Sequence, residues 1–194
     1  MRIVGGSHRG RPLLAPAEDT TRPTTDRVRE ALFNMLLHSP ALTSDEGRSR
    51  LIDGVVLDAF AGSGALSFEA LSRGALHAYL FEIDPQARRI IQRNAETLKL
   101  AERITLRAAD ARKPGKAPAS ADIVFLDPPY HSGLGSPALL QLDREGWLKP
   151  DALAIVETDA RTDTGDAFVA PPGFDLLDTR QQGPARLTFL RKKI

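Results

Sequence analysis

From Gly54 onward one unit recurs along the chain: a short apolar run, a turn, then residues with apolar positions at helical spacing. Val55–Leu57, Ala78–Phe81, Ile104–Leu106, Ile123–Leu126 and Leu153–Val156 read as buried strands. Between them, Leu66–Ser72 reads as a helix ended by Gly74, and Ala138–Leu142 as another. Pro85 opens a third, whose Ala87, Ile90, Ile91, Ala95 and Leu98 share one face. Strands that are apolar throughout, rather than alternating, belong to parallel sheets covered on both faces. Phe174–Leu177 and Leu187–Leu190 have no good helix between them and predict a closing antiparallel pair. The expected fold is α/β, a mostly parallel, doubly wound sheet with a C-terminal antiparallel hairpin. Before it, Arg2–Val4 returning through Arg11–Leu14 predicts a small N-terminal β-hairpin, and Thr24-Thr25-Asp26 offers caps for a helix carrying Val28, Ala31, Leu32, Met35 and Leu36. Ser39–Asp53 is expected to be a polar surface loop, and Lys113–Ser120 and Asp159–Gly173 linkers.

Open α/β sheets bind ligands beyond the carboxyl ends of their strands, so the loops there are the places to look for chemistry. Asp127-Pro128-Pro129-Tyr130 leaves the run Ile123–Leu126. The two prolines stiffen the backbone and remove N–H donors, leaving carbonyl oxygens free to accept. An acceptor carboxylate and a flat aromatic beside them suit a planar group bearing an NH2, such as a nucleobase with an exocyclic amine. Asp58-Ala59-Phe60-Ala61-Gly62-Ser63-Gly64 leaves the first strand and opens a helix, and its glycines permit a tight turn with close approach to a ligand. Glu82 ends the second strand at the distance where an acidic residue accepts from a ribose. This pattern fits a dinucleotide or S-adenosylmethionine. The third position of the dinucleotide fingerprint is Ser67, where Gly or Ala is preferred, and Asp58 would repel a pyrophosphate but attract a cationic amino-acid moiety. Asp110, after the third strand, either accepts from an adenine amine or is an ordinary turn residue.

Bulk properties narrow the field. The 194 residues, 42% hydrophobic and 26% charged, are ordinary for a globular domain with a sizeable core. The absence of cysteine excludes disulfides, thiolate nucleophiles and Cys-ligated zinc. His8, His38 and His77 have no ligand spacing, so no metal is expected. The start lacks a secretory apolar stretch and no run approaches a membrane span, which predicts a cytoplasmic protein without membrane contact. Net charge is only +1, so nucleic-acid affinity would depend on local patches. Arg2, His8, Arg9 and Arg11 make one before the first acidic residue. Arg22, Arg27 and Arg29 make a second, diluted by Asp26 and Glu30, and the tail ends Arg191-Lys192-Lys193; a solvated face is the bland reading of each, preferred for the tail. His131 beside the proline loop reads as a surface histidine, Trp147 as core, and Glu157 as a residue that could orient the site from behind.

With these stretches in order, the chain resembles the RsmD-type methyltransferases. The likeness rests on Met1–Gly6 with His8–Arg11, on Arg22-Pro23-Thr24-Thr25-Asp26-Arg27-Val28-Arg29-Glu30, on Val56–Leu66 with Glu69–Ala75, and on Leu126–Tyr130. The Arg22–Glu30 segment is the most specific of these. The resemblance implies a Rossmann-like class I methyltransferase that uses S-adenosylmethionine and methylates guanine N2 in 16S ribosomal RNA. It implies domains at 1–20, a basic hairpin extension, and 21–194, the methyltransferase. Asp127, Pro128, Pro129 and Tyr130 would be catalytic. Asp58, Phe60, Gly62, Gly64, Glu82, Asp110 and Asp127 would contact the cofactor. Arg9, Arg11, Arg22 and Tyr130 would contact RNA, the partner being ribosomal RNA within a small-subunit particle and the protein a monomer. Where the family tends to place Tyr-Gly near the C-terminus, this chain has Gln182-Gly183. The proline loop does not choose between guanine and adenine. An adenine-N6 methyltransferase on DNA or RNA, a nucleotide-dependent oxidoreductase and a non-catalytic RNA-binding assembly factor remain alternatives.

Overall fold

A computed structural model describes residues 1–16, 25–44, 46–130, 132–161 and 168–194. Its sheet contains β1 (Val55–Asp58), β2 (His77–Phe81), β3 (Ile104–Arg107), β4 (Ala121–Leu126), β5 (Leu148–Asp159), β6 (Phe174–Gln182) and β7 (Ala185–Lys192). The spatial order is β3-β2-β1-β4-β5-β7-β6. The first five strands pair in parallel, and β7 runs antiparallel to both β5 and β6. Chain direction across the sheet reverses at β1, with β2 on one side and β4 on the other. The crevice at that reversal is where an α/β sheet can admit a ligand.

Both faces are covered, which explains the unbroken apolar runs. Val56, Ile123, Phe125 and Ile155 point to a face packed by α1 (Asp26–His38), α2 (Ala65–Ser72) and α3 (Pro85–Leu98). Leu57, Val124, Leu126 and Val156, one position along, point to the other face against α4 (Gly135–Arg144) and Trp147. That period of two is the pleat itself. Trp147 is a core residue, its indole N–H donating to Gly115 O at 2.8 Å and its ring meeting Tyr79 and Phe81 edge-on. The closing strands β6 and β7 and helix α4 run longer than their apolar segments alone predict, because pairing and packing extend over polar flanks. Asp159 accordingly ends β5 rather than beginning a linker.

The stretch 39–53 departs from a plain surface loop. Leu42 and Leu51 are buried in it, the Ser49 hydroxyl donates to Leu36 O at 2.6 Å, and Arg50 is ion-paired with Asp151. Two apolar residues in a polar stretch carry no periodicity, so their burial is invisible before the chain is folded.

The N-terminal arm pairs as expected around an Arg2–Pro12 bridge, with Ile3 N–H to Arg11 O at 3.0 Å and Gly10 N–H to Ile3 O at 2.9 Å. Ile3 and Leu13 are buried in the main core. Buried Glu69 accepts the Val4 N–H at 2.8 Å and Arg73 Nε at 2.7 Å, and the Ser72 hydroxyl donates to Gly5 O at 2.6 Å. Arg29, for which a solvated face is the bland reading, is 1% exposed; it donates to Arg2 O and to Asp26, each at 2.7 Å. Thr25 caps α1, accepting the Val28 N–H at 3.3 Å; Thr24 lies outside the described residues.

Gly6 has φ +74°, and a Cβ there would sit 2.0 Å from the Ser72 carbonyl oxygen. Gly6→Ala is expected to lift the arm from α2 and destabilise the protein by roughly 1–3 kcal/mol. Faster tryptic cleavage after Arg9, with a lowered Tm, checks this (the Arg11–Pro12 bond resists trypsin); unchanged values of both would contradict it.

Candidate active site

Register brings the acidic strand ends together. Asp58 aligns with Leu80 on β2 and Phe125 on β4, so Glu82 and Asp127 each emerge two residues beyond it on either side. Leu126 aligns with Val156, which puts Glu157 next to the start of the proline loop. These ends surround a cavity of about 620 Å³. Of the residues singled out in the sequence, Asp58, Phe60, Gly62, Glu82, Asp110, Asp127, Pro128, Pro129 and Tyr130 line it. Gly64 does not; it sits beneath, at the N-cap of α2 with φ +79°, and a Cβ there would meet the Phe68 ring at 2.7 Å. Arg9 and Arg11 are exposed on the arm, away from the cavity wall, and form no ion pair with another described residue. Arg22 and His131 lie outside the described residues.

Asp58 is 1% exposed. Its Oδ2 accepts the Ser67 hydroxyl at 3.0 Å, while Oδ1 is buried without a hydrogen-bond partner. Burial dominates its titration and pushes the carboxyl up to about 7; the Ser67 hydrogen bond pulls down, and the Glu82 charge pushes further up. Ser67, which fails the dinucleotide fingerprint, thus orients the buried acid. Glu82 organises the loop opposite. Its Oε2 accepts the Gly62 N–H at 2.7 Å and its Oε1 the Asp84 N–H at 2.8 Å, leaving each oxygen one further lone pair.

Asp110 is held by Arg112, whose Nη2 donates to Oδ2 at 2.6 Å and whose Nε donates at 3.1 Å. The Arg112 hydrogen bond is the chief reason its carboxyl lies below the ordinary value. The turn role and the cavity-lining position therefore coexist. Tyr130 hangs from the proline loop with its hydroxyl donating to Glu157 Oε1 at 3.2 Å; Glu157 is 5% exposed. Burial first, then the charges of Glu157, Asp127 and Asp159, raise the phenol pKa well above its usual range, so the hydroxyl stays a donor and the ring is tethered at its far end. Beyond Glu157, Asp159 takes a two-pronged ion pair from Arg161, the Nη2 contact being 2.6 Å.

Met1, Ala15, Pro16, Ile83 and Arg112 also line the cavity, and none was apparent from the sequence. Only Ile83 had a signal, an apolar residue next to Glu82 that proves 68% exposed. Among the described residues no group of three or more His, Asp or Glu side chains could hold a metal, and no helix is long and apolar enough to cross a membrane.

The strand order, the reversal at β1 and the two acceptor-rich loops around one crevice define a Rossmann-like fold of the methyltransferase class. Residues 1–191 match the family described as Conserved hypothetical protein 95. Ribosomal RNA small subunit methyltransferase D of Haemophilus influenzae is 37% identical over 187 residues, 94% of this chain and 89% of the relative. The protein of the same name from Escherichia coli K12 is 40% identical over 159 residues, 82% of this chain and 75% of the relative. The solved structure of yhhF from Escherichia coli superposes with a TM-score of 0.81 at 35% identity, covering 100% of this chain and 98% of that one. The chain belongs to the RsmD family of methyltransferases.

Because Asp58 binds its proton more tightly folded than unfolded, it lowers stability as pH rises from about 4 through about 7. Asp58→Asn is expected to remove that slope, gaining up to about 4 kcal/mol above neutrality. Thermal melts of the free protein across this range test it. A wild-type slope unchanged in the variant would place the titration elsewhere.

Proposed function

We propose that this protein transfers a methyl group from S-adenosylmethionine to the exocyclic N2 of a guanine in small-subunit (16S) ribosomal RNA. The observation that carries the reading is the meeting of the Asp58–Gly64 loop and the Asp127–Tyr130 loop on one cavity. Family membership, and the names of the relatives as small-subunit ribosomal RNA methyltransferases, support it.

The donor fits the residues present. Its sulfonium supplies an electrophilic methyl group when bound. The unpartnered Asp58 Oδ1 suits the donor's ammonium, which would hold the carboxylate ionised. Phe60, Gly62, Glu82 and Asp110 line the remaining wall, Glu82 with lone pairs for ribose hydroxyls and Asp110 for an adenine amine. Gly64 shapes the turn that lets the backbone come close.

A guanine amine is a poor nucleophile because its lone pair is delocalised into the ring. Asp127 and the Pro128 carbonyl accept its two hydrogens, which localises the lone pair and stabilises the positive charge developing on nitrogen. Pro129 removes an N–H from that corner and keeps it rigid. Asp127 accepts the proton released once the new N–C bond has formed. Positioning supplies much of the acceleration. Tyr130 stacks on the extruded base for roughly 1–3 kcal/mol, comparable to the few kcal/mol that unstacking costs. Arg9, Arg11 and Arg22 bind phosphates and set the RNA's position, with residues 1–20 serving as a basic extension to a methyltransferase domain at 21–194. The substrate form proposed is a small-subunit particle, met by a single copy of the protein in the cytoplasm.

Labelled S-adenosylmethionine incubated with small-subunit RNA, assembled subunits or DNA, followed by nucleoside identification, tests the reading. N2-methylguanine in the RNA is expected; N6-methyladenine, or no incorporation, overturns it. Asp127→Ala should abolish turnover, and normal turnover would remove Asp127 from the mechanism. Tyr130→Phe, which keeps the ring, should retain most of the RNA step that Tyr130→Ala loses. Equal kinetics for the two would argue against stacking.

A further inference from the structure

Asn94 sits on α3 within its apolar stripe and is 1% exposed. Its Oδ1 accepts the Leu14 N–H at 2.8 Å, and its Nδ2 donates to Leu14 O and to Ser63 O, both at 3.1 Å. One donor faces the oxygen and two carbonyls face the nitrogen, so a single orientation of the amide satisfies all three. Leu14 belongs to the N-terminal arm, and Ser63 lies between Gly62 and Gly64 in the loop on the cavity. The arm's other side-chain anchors reach α1 and α2, through Arg29, Glu69 and Ser72. Among the described residues Asn94 is the hydrogen-bonded joint between arm and glycine loop. Just past it, Ala15 and Pro16 form part of the wall that also includes Asp58, Gly62 and Glu82.

We infer that Asn94 is a positioning residue that couples the two ligands, so that methyl-donor binding at the glycine loop strengthens RNA binding on the arm, and the reverse. The inference rests on the function proposed above. The Asn94 amide is itself buried, so moving either segment would leave its oxygen or nitrogen without a partner where water does not readily replace one. A loop settled by the donor therefore holds Leu14 in place, and with it the arm segment that carries Arg9 and Arg11. Linkage makes the effect reciprocal: each ligand raises the other's affinity by the same factor.

The test measures binding of full-length small-subunit ribosomal RNA with and without saturating S-adenosylhomocysteine, which has no methyl to transfer, and binding of that nucleoside with and without the RNA. In the wild-type protein each is expected to raise the other's affinity by about 5- to 100-fold. Asn94→Ala should bring the factor to within about twofold of unity. Asn94→Asp keeps the acceptor for the Leu14 N–H but cannot donate to Ser63, and is expected to do the same; it carries the test if the alanine variant does not fold. Ala95→Gly, one residue along, loosens the helix without touching either segment and should keep the coupling, which separates positioning from simple loss of stability. Coupling that survives in both Asn94 variants, or falls equally in Ala95→Gly, overturns the inference. So does a wild-type protein that binds both ligands independently, with the proposed function left standing. A wild-type protein that binds neither ligand overturns both.

Discussion

Asp58 ends the central strand in a place where water does not reach, and much of the site is arranged around that fact. Burying a carboxylate is costly unless it is neutralised, paired or fully hydrogen-bonded. Here one oxygen has Ser67 and the other is buried without a hydrogen-bond partner. A proton balances the charge when the cavity holds no cation, and the proposed ammonium of the donor balances it otherwise. Glu82, just past the neighbouring strand, raises the cost further, yet it is itself committed to two backbone N–H groups, Gly62 in the glycine loop and Asp84 in its own. The strained electrostatics and the loop geometry are thus one arrangement, set by the parallel register of β1, β2 and β4.

The opposite wall works by restraint. Tyr130 is tied to Glu157, and Glu157 stands where it does because Val156 on β5 pairs with Leu126, the last residue of β4 before the proline loop. A flat ring that is fixed at both ends would lose little freedom on meeting the proposed base. The N-terminal arm is restrained in a comparable way. Ile3 and Leu13 are core residues, and Arg29, Glu69, Ser72 and Asn94 hold its backbone from three helices. A basic extension fastened so thoroughly presents its arginines from a defined position relative to the cavity.

Much of this was legible in the residues. The strand–turn–helix rhythm, the closing hairpin, the two loops and most of the residues on the cavity follow from apolar spacing and from the chemistry of Asp, Gly and Pro at strand ends. Arg29 gives no local sign of burial, since an arginine among charged neighbours looks solvated, and only the meeting of α1 with the arm buries it. Ser67 counted as a broken fingerprint until its hydroxyl was found on Asp58. Asn94 left a faint trace, a polar residue at a buried position of α3, but nothing local says that its partners are 80 and 31 residues away. Leu42, Leu51, Met1, Ala15 and Pro16 left none.

What the sequence by itself determined is the set of elements and the kind of loop at the end of each, because periodicity and turn chemistry are local properties of neighbouring residues. Strand order, register and the fastening of the arm were decided by tertiary structure, since they depend on pairings between residues far apart in the chain. Those pairings alone turn Asp58, Glu82 and Asp127 from three separate acids into the rim of one cavity.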